Sequence, residues 1–437
     1  MDDFAFSDSI DDSPCVSKNP NGEAITSAEQ TVTDGCRVSM VTGEALLMLT
    51  EGELPGILPF AWKRVYRSSA VDLDCGVGFG WRHSLAHRLA VVGDSVVWTD
   101  HENRSSTFAL PSVARPVISN SLAEATICLG ASPDELIVAQ AARRYHFRDT
   151  LLTSISDAYD NRLHISRDAS ARIQRLSNQA GRALLLRYEQ THIVAVDYQT
   201  FDAQSLLTDA WITQHTLVSY RYDAHQRLVE TTNAAGESER YRYDAQQVIL
   251  QRSSAAGASF FWAWQRAGKA ARCVRHWASC SQMDTRYAWD DRGGVTLSRA
   301  DGSQHVYVHD SRARLVQRID AHGAQHFMSY DEKGRLTVEQ DPLGAVTAYQ
   351  YDQAGRLIWL FPGEDEPISY EYANGFLHLV RRGHAVWTYL RNRQGDITRK
   401  TEPDGSVTVY RYDTRGLLTE VRYPDGHITR LDLADGE

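Results

Sequence analysis

The sequence lacks the features that mark a membrane protein or a protein with a secretory leader. Its 437 residues contain no run approaching the roughly 20 apolar residues that a membrane-spanning helix needs. The first segment, Met1 to Pro14, is acidic and has no positively charged stretch followed by an apolar run, so we expect no secretory signal peptide. If the chain leaves the cell, we expect a route that needs no such signal.

Blocks of Lys and Arg are also missing. The 46 basic residues are spread along the chain and are outnumbered by 56 acidic ones, which gives a formal net charge of −10. A surface for nucleic acid needs clustered positive charge to meet the phosphates. The composition therefore argues against a nucleic-acid partner.

Cysteine is scarce, and its spacing forms no recognisable pattern. The six cysteines are Cys15, Cys36, Cys75, Cys128, Cys273 and Cys280. They contain no CxxC pair and no tight framework, so reduced thiols are the expected state. We predict no catalytic residue, no metal ligand and no cofactor.

What the sequence does have is a repeat of about 21 residues from residue 151 onward. One unit reads Tyr-x-Tyr-Asp-x-x-Gly-Arg-Leu. The residues that define the best copies, and that we predict to be structural, are Tyr222, Asp223, Tyr243, Asp244, Tyr330, Asp331, Gly334, Tyr351, Asp352, Gly355, Tyr412, Asp413 and Gly416. A fixed period of this length is typical of repeat proteins in which each unit packs only on its neighbours.

The residue types in one unit predict a β-hairpin. The two tyrosines stand at i and i+2, so they project from the same face of a strand. Asp-x-x-Gly suits a type I turn followed by a bulge, because Gly accepts positive φ. A second turn signal follows about ten residues later, as at Asp341-Pro342-Leu343-Gly344. Single hairpins are unstable, so we predict an all-β fold in which the hairpins stack into a long, twisted, spiralling sheet.

The chain divides into three predicted regions. Residues 1–35 are polar and are expected to form a flexible tail, and residues 36–150 read as an N-terminal β domain. That domain should contain a hairpin from Arg88 to Trp98. Residues 151–437 form the repeat array, with one degenerate repeat expected near Trp264.

Several residues admit a chemical interpretation, and each has a structural one that we favour. Asp341-Pro342 could be a cleavage site but fits an ordinary turn. His83 and His87 have the spacing of a helical zinc pair, yet in strands they would lie about 13 Å apart. The tyrosine stripe could bind carbohydrate or could pack between strands. Its recurrence in every unit favours packing.

The repeat unit resembles the YD repeat of Rhs proteins, of wall-associated relatives in Gram-positive bacteria, and of animal teneurins. The N-terminal region adds a second match. Residues 41–44, 54–59, 62–66 and 78–83 resemble in order the conserved start of the Rhs core. Together the two matches cover nearly the whole chain.

The resemblance implies a hollow β-cocoon that encloses a C-terminal toxin, used in competition between bacteria and exported in many Gram-negative members by a type VI secretion machine. It implies a cytoplasmic location before export, and as partners a C-terminal toxin or the remaining shell polypeptide, a secretion-spike protein and an immunity protein. The terminal Asp-Pro pair and toxin domain of the family are not found before Glu437, so we expect the N-terminal part of a shell. A free sheet edge there would favour pairing with another polypeptide or self-association. The alternatives are an aromatic glycan-binding module and, less in keeping with the sequence, an enzyme.

Overall fold

The computed structural model describes residues 15–33, 37–204, 210–267, 270–279 and 282–431. These residues form an all-β structure with one short 3-10 turn, Ser68–Ala70, which confirms the predicted fold class. None of them forms a helix that could cross a membrane. Residues 1–14 and 34–35 of the predicted tail, Cys36, Cys280 and the last six residues lie outside the described ranges.

A small N-terminal sheet precedes a long one. The small antiparallel sheet has the order β1-β2-β3, with strands β1 Leu46–Leu54, β2 Phe60–Arg67 and β3 Trp81–His83. The first strands of the long sheet are β4 Arg88–Val92, β5 Ser95–Thr99, β6 Ser105–Ala109, β7 Val117–Asn120, β8 Ala125–Leu129, β9 Glu135–Gln140, β10 Arg143–Arg148 and β11 Leu151–Ser156. The predicted hairpin is confirmed, because Val92 of β4 pairs with Ser95 of β5 across the turn.

The remaining strands all belong to the long sheet. They are β12 Arg162–Arg167, β13 Ile173–Ser177, β14 Arg182–Glu189, β15 His192–Phe201, β16 Trp211–Tyr222, β17 Leu228–Asn233, β18 Ser238–Tyr243, β19 Ile249–Ser253, β20 Ser259–Ala267, β21 Ala270–Ala278, β22 Asp284–Trp289, β23 Gly294–Arg299, β24 Gln304–His309, β25 Leu315–Ile319, β26 Gln325–Tyr330, β27 Leu336–Gln340, β28 Val346–Tyr351, β29 Leu357–Pro362, β30 Ile368–Ala373, β31 Phe376–Arg382, β32 Ala385–Arg391, β33 Ile397–Thr401, β34 Val407–Tyr412, β35 Leu418–Arg422 and β36 Ile428–Arg430.

The long sheet is a continuous antiparallel ladder. From β7 to β36 each strand pairs with the next one in the chain, as in the pairs β10–β11 and β26–β27. The ladder runs across residue 150 without a break, and β11 also pairs with β4. The division at residue 150 therefore stays a prediction drawn from the change in sequence pattern.

The main hydrophobic core lies between the small sheet and one face of the long one. Trp62 and Tyr66 of β2 are fully buried there, together with Trp81 of β3. Their partners across the core include Leu184 of β14 and Leu297 of β23. A second cluster, around Trp98, joins β4–β11. The N-terminal region thus covers the first part of the repeat array.

Part of the predicted tail is held against this body. Lys18 forms β-bridges with Ala24 and with Ser105 of β6, and Ile25 is buried. The Asn120 side chain also donates a hydrogen bond to the Cys15 carbonyl, at 2.9 Å. Residues 15–33 are therefore in contact with β6 and with the end of β7.

Candidate functional site

The recurring feature of the long sheet is the turn that follows the second tyrosine of each unit, which we call the YD turn. In the unit at Asp331, the Gly334 amide donates to the Asp331 carbonyl at 3.1 Å, and the Asp331 amide donates to the Arg335 carbonyl at 2.9 Å. The ladder has its bulge beside this turn, where Tyr330 pairs with Leu336. Gly334 has a φ of 85°, a conformation that glycine adopts without strain. Gly355 and Gly416 stand at the same position of their turns.

The aspartate side chain holds the YD turn closed. Its Oδ1 accepts hydrogen bonds from the amides two and four residues later, which for Asp331 are those of Lys333 and Arg335, both at 2.9 Å. Its Oδ2 accepts from the Arg335 Nε at 2.6 Å. Asp223, Asp244 and Asp413 likewise accept from the amides two and four residues later. Asp352 accepts from the amide four residues later. Each carboxylate thus fixes the five residues of its turn.

The arginine after the turn reaches the next repeat. The Arg335 guanidinium lies 4.8 Å from the centre of the Tyr351 ring and donates to the Asp352 carbonyl at 3.4 Å. Arg314 stacks in the same way on Tyr330, at 4.8 Å. Cation–π contacts of this kind stabilise by roughly 0.5–1 kcal/mol at exposed sites. The arginine therefore joins its own aspartate to the neighbouring unit.

The second tyrosine of a unit binds back to the preceding repeat. The Tyr351 hydroxyl donates to the Leu336 carbonyl, 15 residues earlier, at 2.7 Å. Three other predicted tyrosines bond in the same way to the carbonyl 15 residues earlier: Tyr243 to Leu228, Tyr330 to Leu315 and Tyr412 to Ile397. Tyr222 instead donates to the Ile193 carbonyl, 29 residues earlier. We call the combined Tyr, Asp and Arg contacts the repeat clasp. It links each unit to its neighbours in addition to the backbone ladder.

Tryptophan replaces tyrosine where the repeat is degenerate. The Trp264 indole donates to the Ile249 carbonyl at 2.7 Å, again 15 residues earlier. Trp289 donates likewise to the Cys273 carbonyl at 2.7 Å. The degenerate unit expected near Trp264 is therefore present, and its indole N–H replaces the phenol hydroxyl as donor.

Loss of one clasp hydroxyl should have a modest, measurable effect. Tyr351→Phe removes the bond to the Leu336 carbonyl, and we expect it to lower the free energy of unfolding by about 1 kcal/mol. Tyr370→Phe is the matched control, because the Tyr370 hydroxyl makes no hydrogen bond to any residue that the structure describes. Urea unfolding followed by circular dichroism measures both. Equal losses in the two variants would contradict a role for the hydroxyl bond.

The clasp also makes stability depend on pH. Although burial opposes the effect, hydrogen bonds from arginine side chains and backbone amides lower the pKa of Asp223, Asp310, Asp331 and Asp352. A lowered folded-state pKa gives stability that is complete above the unfolded value of 3.8 and is lost as pH falls through the folded value. We expect the melting temperature to fall first below about pH 6.5, because buried histidines such as His83 stay neutral in the fold and gain a proton only on unfolding, and to fall more steeply below about pH 4 as these carboxylates lose their contribution. Thermal unfolding at constant ionic strength tests this, and an unchanged melting temperature at pH 3 would contradict it.

The tyrosines of the early repeats also bind the N-terminal sheet. The Trp62 indole donates to the Tyr220 hydroxyl at 2.7 Å, and the Trp81 indole donates to the Tyr243 hydroxyl at 2.8 Å. The Tyr66 hydroxyl accepts the Ile249 amide at 2.9 Å. The N-terminal segments 62–66 and 78–83 thus supply the side chains that cover the array.

A buried ion pair lies at the centre of this contact. The fully buried Arg64 donates to Glu51 through Nε at 2.8 Å and through Nη2 at 2.6 Å. Its guanidinium lies 4.2 Å from the centre of the Trp81 ring, and Tyr220 donates to the other oxygen of Glu51. Burial alone would lower the pKa of Arg64, but Glu51 and the neighbouring phenols raise it well above its usual value.

Late YD turns contact early turns of the same sheet. Asn392 donates to the Tyr159 hydroxyl at 2.7 Å, and Tyr159 donates to Asp396. Asn161 donates to the carbonyl of Arg415 at 2.9 Å. In the same manner Ser121 donates to the Lys333 carbonyl at 3.0 Å. The array therefore bends back so that residues more than 200 positions apart in sequence meet at their turns.

The remaining candidate residues have structural surroundings. Asp341 accepts the Leu343 and Ala345 amides at 2.9 and 2.8 Å, as in an ordinary turn. His83 stacks on Trp62 at 5.0 Å, and burial lowers its pKa to about 3. The described cysteines, Cys15, Cys75, Cys128 and Cys273, are free thiols. Within the described ranges no three His, Cys, Asp or Glu side chains are grouped as metal ligands would be.

The architecture and the clasp define the class of protein: an antiparallel repeat array whose units are joined by Tyr, Asp and Arg side chains. The RHS Repeat family matches residues 222–259, 330–358 and 391–428, and a family described as a domain of unknown function (DUF6531) matches residues 35–108. The matches to both families and to Rhs proteins support an Rhs/YD-repeat protein, with RHS repeats in these three segments.

Two curated proteins of Dickeya dadantii (strain 3937) are similar to part of this chain. One, named probable deoxyribonuclease RhsA, is 27% identical over 218 residues, which are 44% of this chain and 15% of that protein. The other, named probable deoxyribonuclease RhsB, is 26% identical over 208 residues, which are 44% of this chain and 13% of that protein. The matched part is therefore a small fraction of either relative.

Two solved structures have a low similarity to this chain. The crystal structure of TcdB2-TccC3 has a TM-score of 0.39 at 12% identity and covers 90% of this chain and 23% of its own. A Tc holotoxin pore of Photorhabdus luminescens has a TM-score of 0.36 at 10% identity and covers 90% of this chain and 27% of its own.

Proposed function

We propose that this chain forms part of the wall of a shell that encloses a toxin or effector polypeptide. The observation that carries the proposal is the contact of late YD turns with early turns, through Tyr159 with Asn392 and Asn161 with Arg415. A sheet that returns onto its own turns can surround a space, whereas a flat array cannot. The enclosed partner or a further shell polypeptide completes the assembly.

The use of the tyrosines supports a wall rather than a carbohydrate-binding surface. The hydroxyls of Tyr330, Tyr351 and Tyr412 donate to carbonyls of the preceding repeat. Those of Tyr220 and Tyr243 are bound to the N-terminal sheet. Groups engaged in this way are not available to a sugar.

A glycan-binding module is the second candidate, and one observation favours it. Trp359 is 39% exposed and stacks on Phe361 at 5.7 Å, which gives an aromatic surface outside the clasp. If sugars bind there, a glycan array should give a signal that Trp359→Ala abolishes without changing the melting temperature.

We propose that the chain acts by enclosure and supplies no catalytic group. The clasp accounts for the recurrent aspartates, because each carboxylate is engaged by its own turn. In this proposal, the deoxyribonuclease activity named for the two relatives belongs to parts of those proteins outside the match. A nuclease assay on the purified chain tests it, and turnover that a single Asp→Asn change abolishes would contradict it.

The first test is native purification of the untagged chain from its source, with intact-mass analysis of whatever accompanies it. A co-purifying polypeptide that resists protease only while the chain is present would support enclosure. The matched variants Gly416→Ala and Gly426→Ala then separate the wall contact from general strain, since only Gly416 faces Tyr159. Recovery of the chain as a monomer without any companion would argue against a shell.

Export by a type VI secretion machine, with a spike protein and an immunity protein as further partners, is part of the same proposal. The resemblance to Rhs proteins is its support. Comparison of the secreted fraction in a strain with and without the secretion sheath tests it, and unchanged secretion would contradict it.

A further inference from the structure

A cavity of about 560 Å³ lies between the segment that follows β3 and the first strands of the repeat array. Its lining includes Arg82, His87 and Arg88 on one side. Arg167, from the end of β12, and Arg172, the residue before β13, line the other side. No aspartate or glutamate of the described structure belongs to this lining.

Three of these arginines differ from those of the repeat clasp. In the clasp an arginine binds its own aspartate, and Arg172 still does so, with Asp168 at 2.7 Å. By contrast, Arg82, Arg88 and Arg167 have no carboxylate at ion-pair distance anywhere in the described ranges. Arg82 and Arg167 donate to neutral oxygens, as in the bonds of Arg82 to Ala86 at 2.7 Å and of Arg167 to Leu152 at 3.0 Å. Three guanidinium charges therefore gather around one cavity without a fixed counterion.

Two further observations bear on this cluster. Burial lowers the pKa of Arg82, and the nearby Arg88 adds to that effect as a like charge does, whereas Cys75 and Asp100 act in the opposite direction. His87 is 8% exposed, and its Nδ1 has no hydrogen-bond partner within the described structure. Its ring is fixed by stacking on Tyr145 at 4.3 Å and on Trp98 at 5.7 Å. A buried polar atom without a partner is uncommon in proteins and indicates a missing ligand or water.

We propose that this cavity is a binding site for an oxyanion of the phosphate type, with Arg88, Arg82 and Arg167 as its cationic walls. Guanidinium groups present paired donors that match the oxygens of phosphate or carboxylate. A group with two negative charges balances three cations better than a monocarboxylate does. Because the site lies between the N-terminal segment and the array, an anion bound there would hold the two together. The inference is independent of the proposed enclosure.

Isothermal titration calorimetry of the full chain tests the proposal. Inorganic phosphate is the ligand and acetate is the comparison, both in a zwitterionic buffer at constant ionic strength. We expect saturable binding of phosphate and a higher melting temperature in phosphate than in chloride. Arg88→Gln should weaken phosphate binding by about tenfold or more. Arg88 is exposed, and within the described structure its side chain makes no hydrogen bond or ion pair, so this variant should fold normally. Arg240→Gln, which alters an exposed pair with Glu230, is the matched control and should bind as the parent does.

The outcomes separate the sources of the anion. Preference for phosphate over acetate supports a phosphate or phosphate-ester ligand. If acetate binds as tightly as phosphate and Arg88→Gln weakens both, the same site is supported with a carboxylate as its ligand. Absence of saturable binding for both anions, or equal binding by Arg88→Gln and the parent, would overturn the proposal.

Discussion

Glu51→Leu is expected to lower the free energy of unfolding by roughly 3–5 kcal/mol, because it leaves the charge of Arg64 buried without its partner. The Arg64 side chain is fully buried, and its two hydrogen bonds to Glu51 are short, at 2.6 and 2.8 Å. The change also removes the acceptor of the Tyr220 hydroxyl. Guanidinium unfolding followed by tryptophan fluorescence is a suitable measurement, since Trp62 and Trp81 lie beside the pair.

The double variant Glu51→Leu, Arg64→Met is the control that isolates the unpaired charge. Replacement of both members of a buried pair by apolar residues is often nearly neutral, so the double variant should regain most of the lost stability. Arg240→Ala, in an exposed pair with Glu230, should cost less than about 1 kcal/mol. If the double variant were as unstable as Glu51→Leu, the loss would have to come from packing and not from the buried charge.

Gly416→Ala is expected to destabilise the contact between late and early turns by about 3 kcal/mol. Part of this cost, about 1–2 kcal/mol, is the strain of a side chain at positive φ. The rest is steric, because the new Cβ would overlap the Tyr159 ring. Gly426→Ala is the matched control, since Gly426 has nearly the same φ, 87° against 86°, and nothing within 4 Å of its Cβ position.

Hydrogen exchange followed by mass spectrometry measures this effect locally. Gly416→Ala should lower the protection of residues 157–161, which are distant in sequence, whereas Gly426→Ala should change protection only near its own turn. Stability in repeat arrays is carried by neighbouring units, so local opening is the appropriate quantity. Unchanged protection of residues 157–161 in Gly416→Ala would show that the turn contact does not hold the sheet.

The local features of the fold follow from the sequence pattern. Two tyrosines at i and i+2, then Asp-x-x-Gly, specify a strand and a bulged turn through interactions of near neighbours, and the YD turn at Asp331 has that geometry. The hairpin turning at Gly93-Asp94 is predictable for the same reason. The all-β class then follows from the number of such units.

The clasp and the long-range contacts could not be obtained in the same way. Arginine recurs four residues after the aspartate, at Arg227, Arg314, Arg335 and Arg356, and this pattern could have indicated an Asp–Arg pair within each turn. The contact of the arginine with the tyrosine of the next unit depends on how whole units stack, which the pattern does not contain. The bond between Asn392 and Tyr159 has no local sequence pattern. The cavity could not be predicted from the sequence either, because its arginines come from segments that are far apart in the chain.

The fixed spacing of the clasp has a consequence for how such a chain can change length. In the regular units a tyrosine bonds 15 residues back, as Tyr351 does to Leu336, and an arginine reaches 17 residues ahead, as Arg335 does to Asp352. Duplication or removal of one whole unit therefore recreates every junction, whereas an insertion of half a unit would place a turn where a strand partner is required. The regular part of the array can grow or shrink only in whole steps, and the contacts at Tyr159 and Ser121 determine which total numbers of steps allow late and early turns to meet.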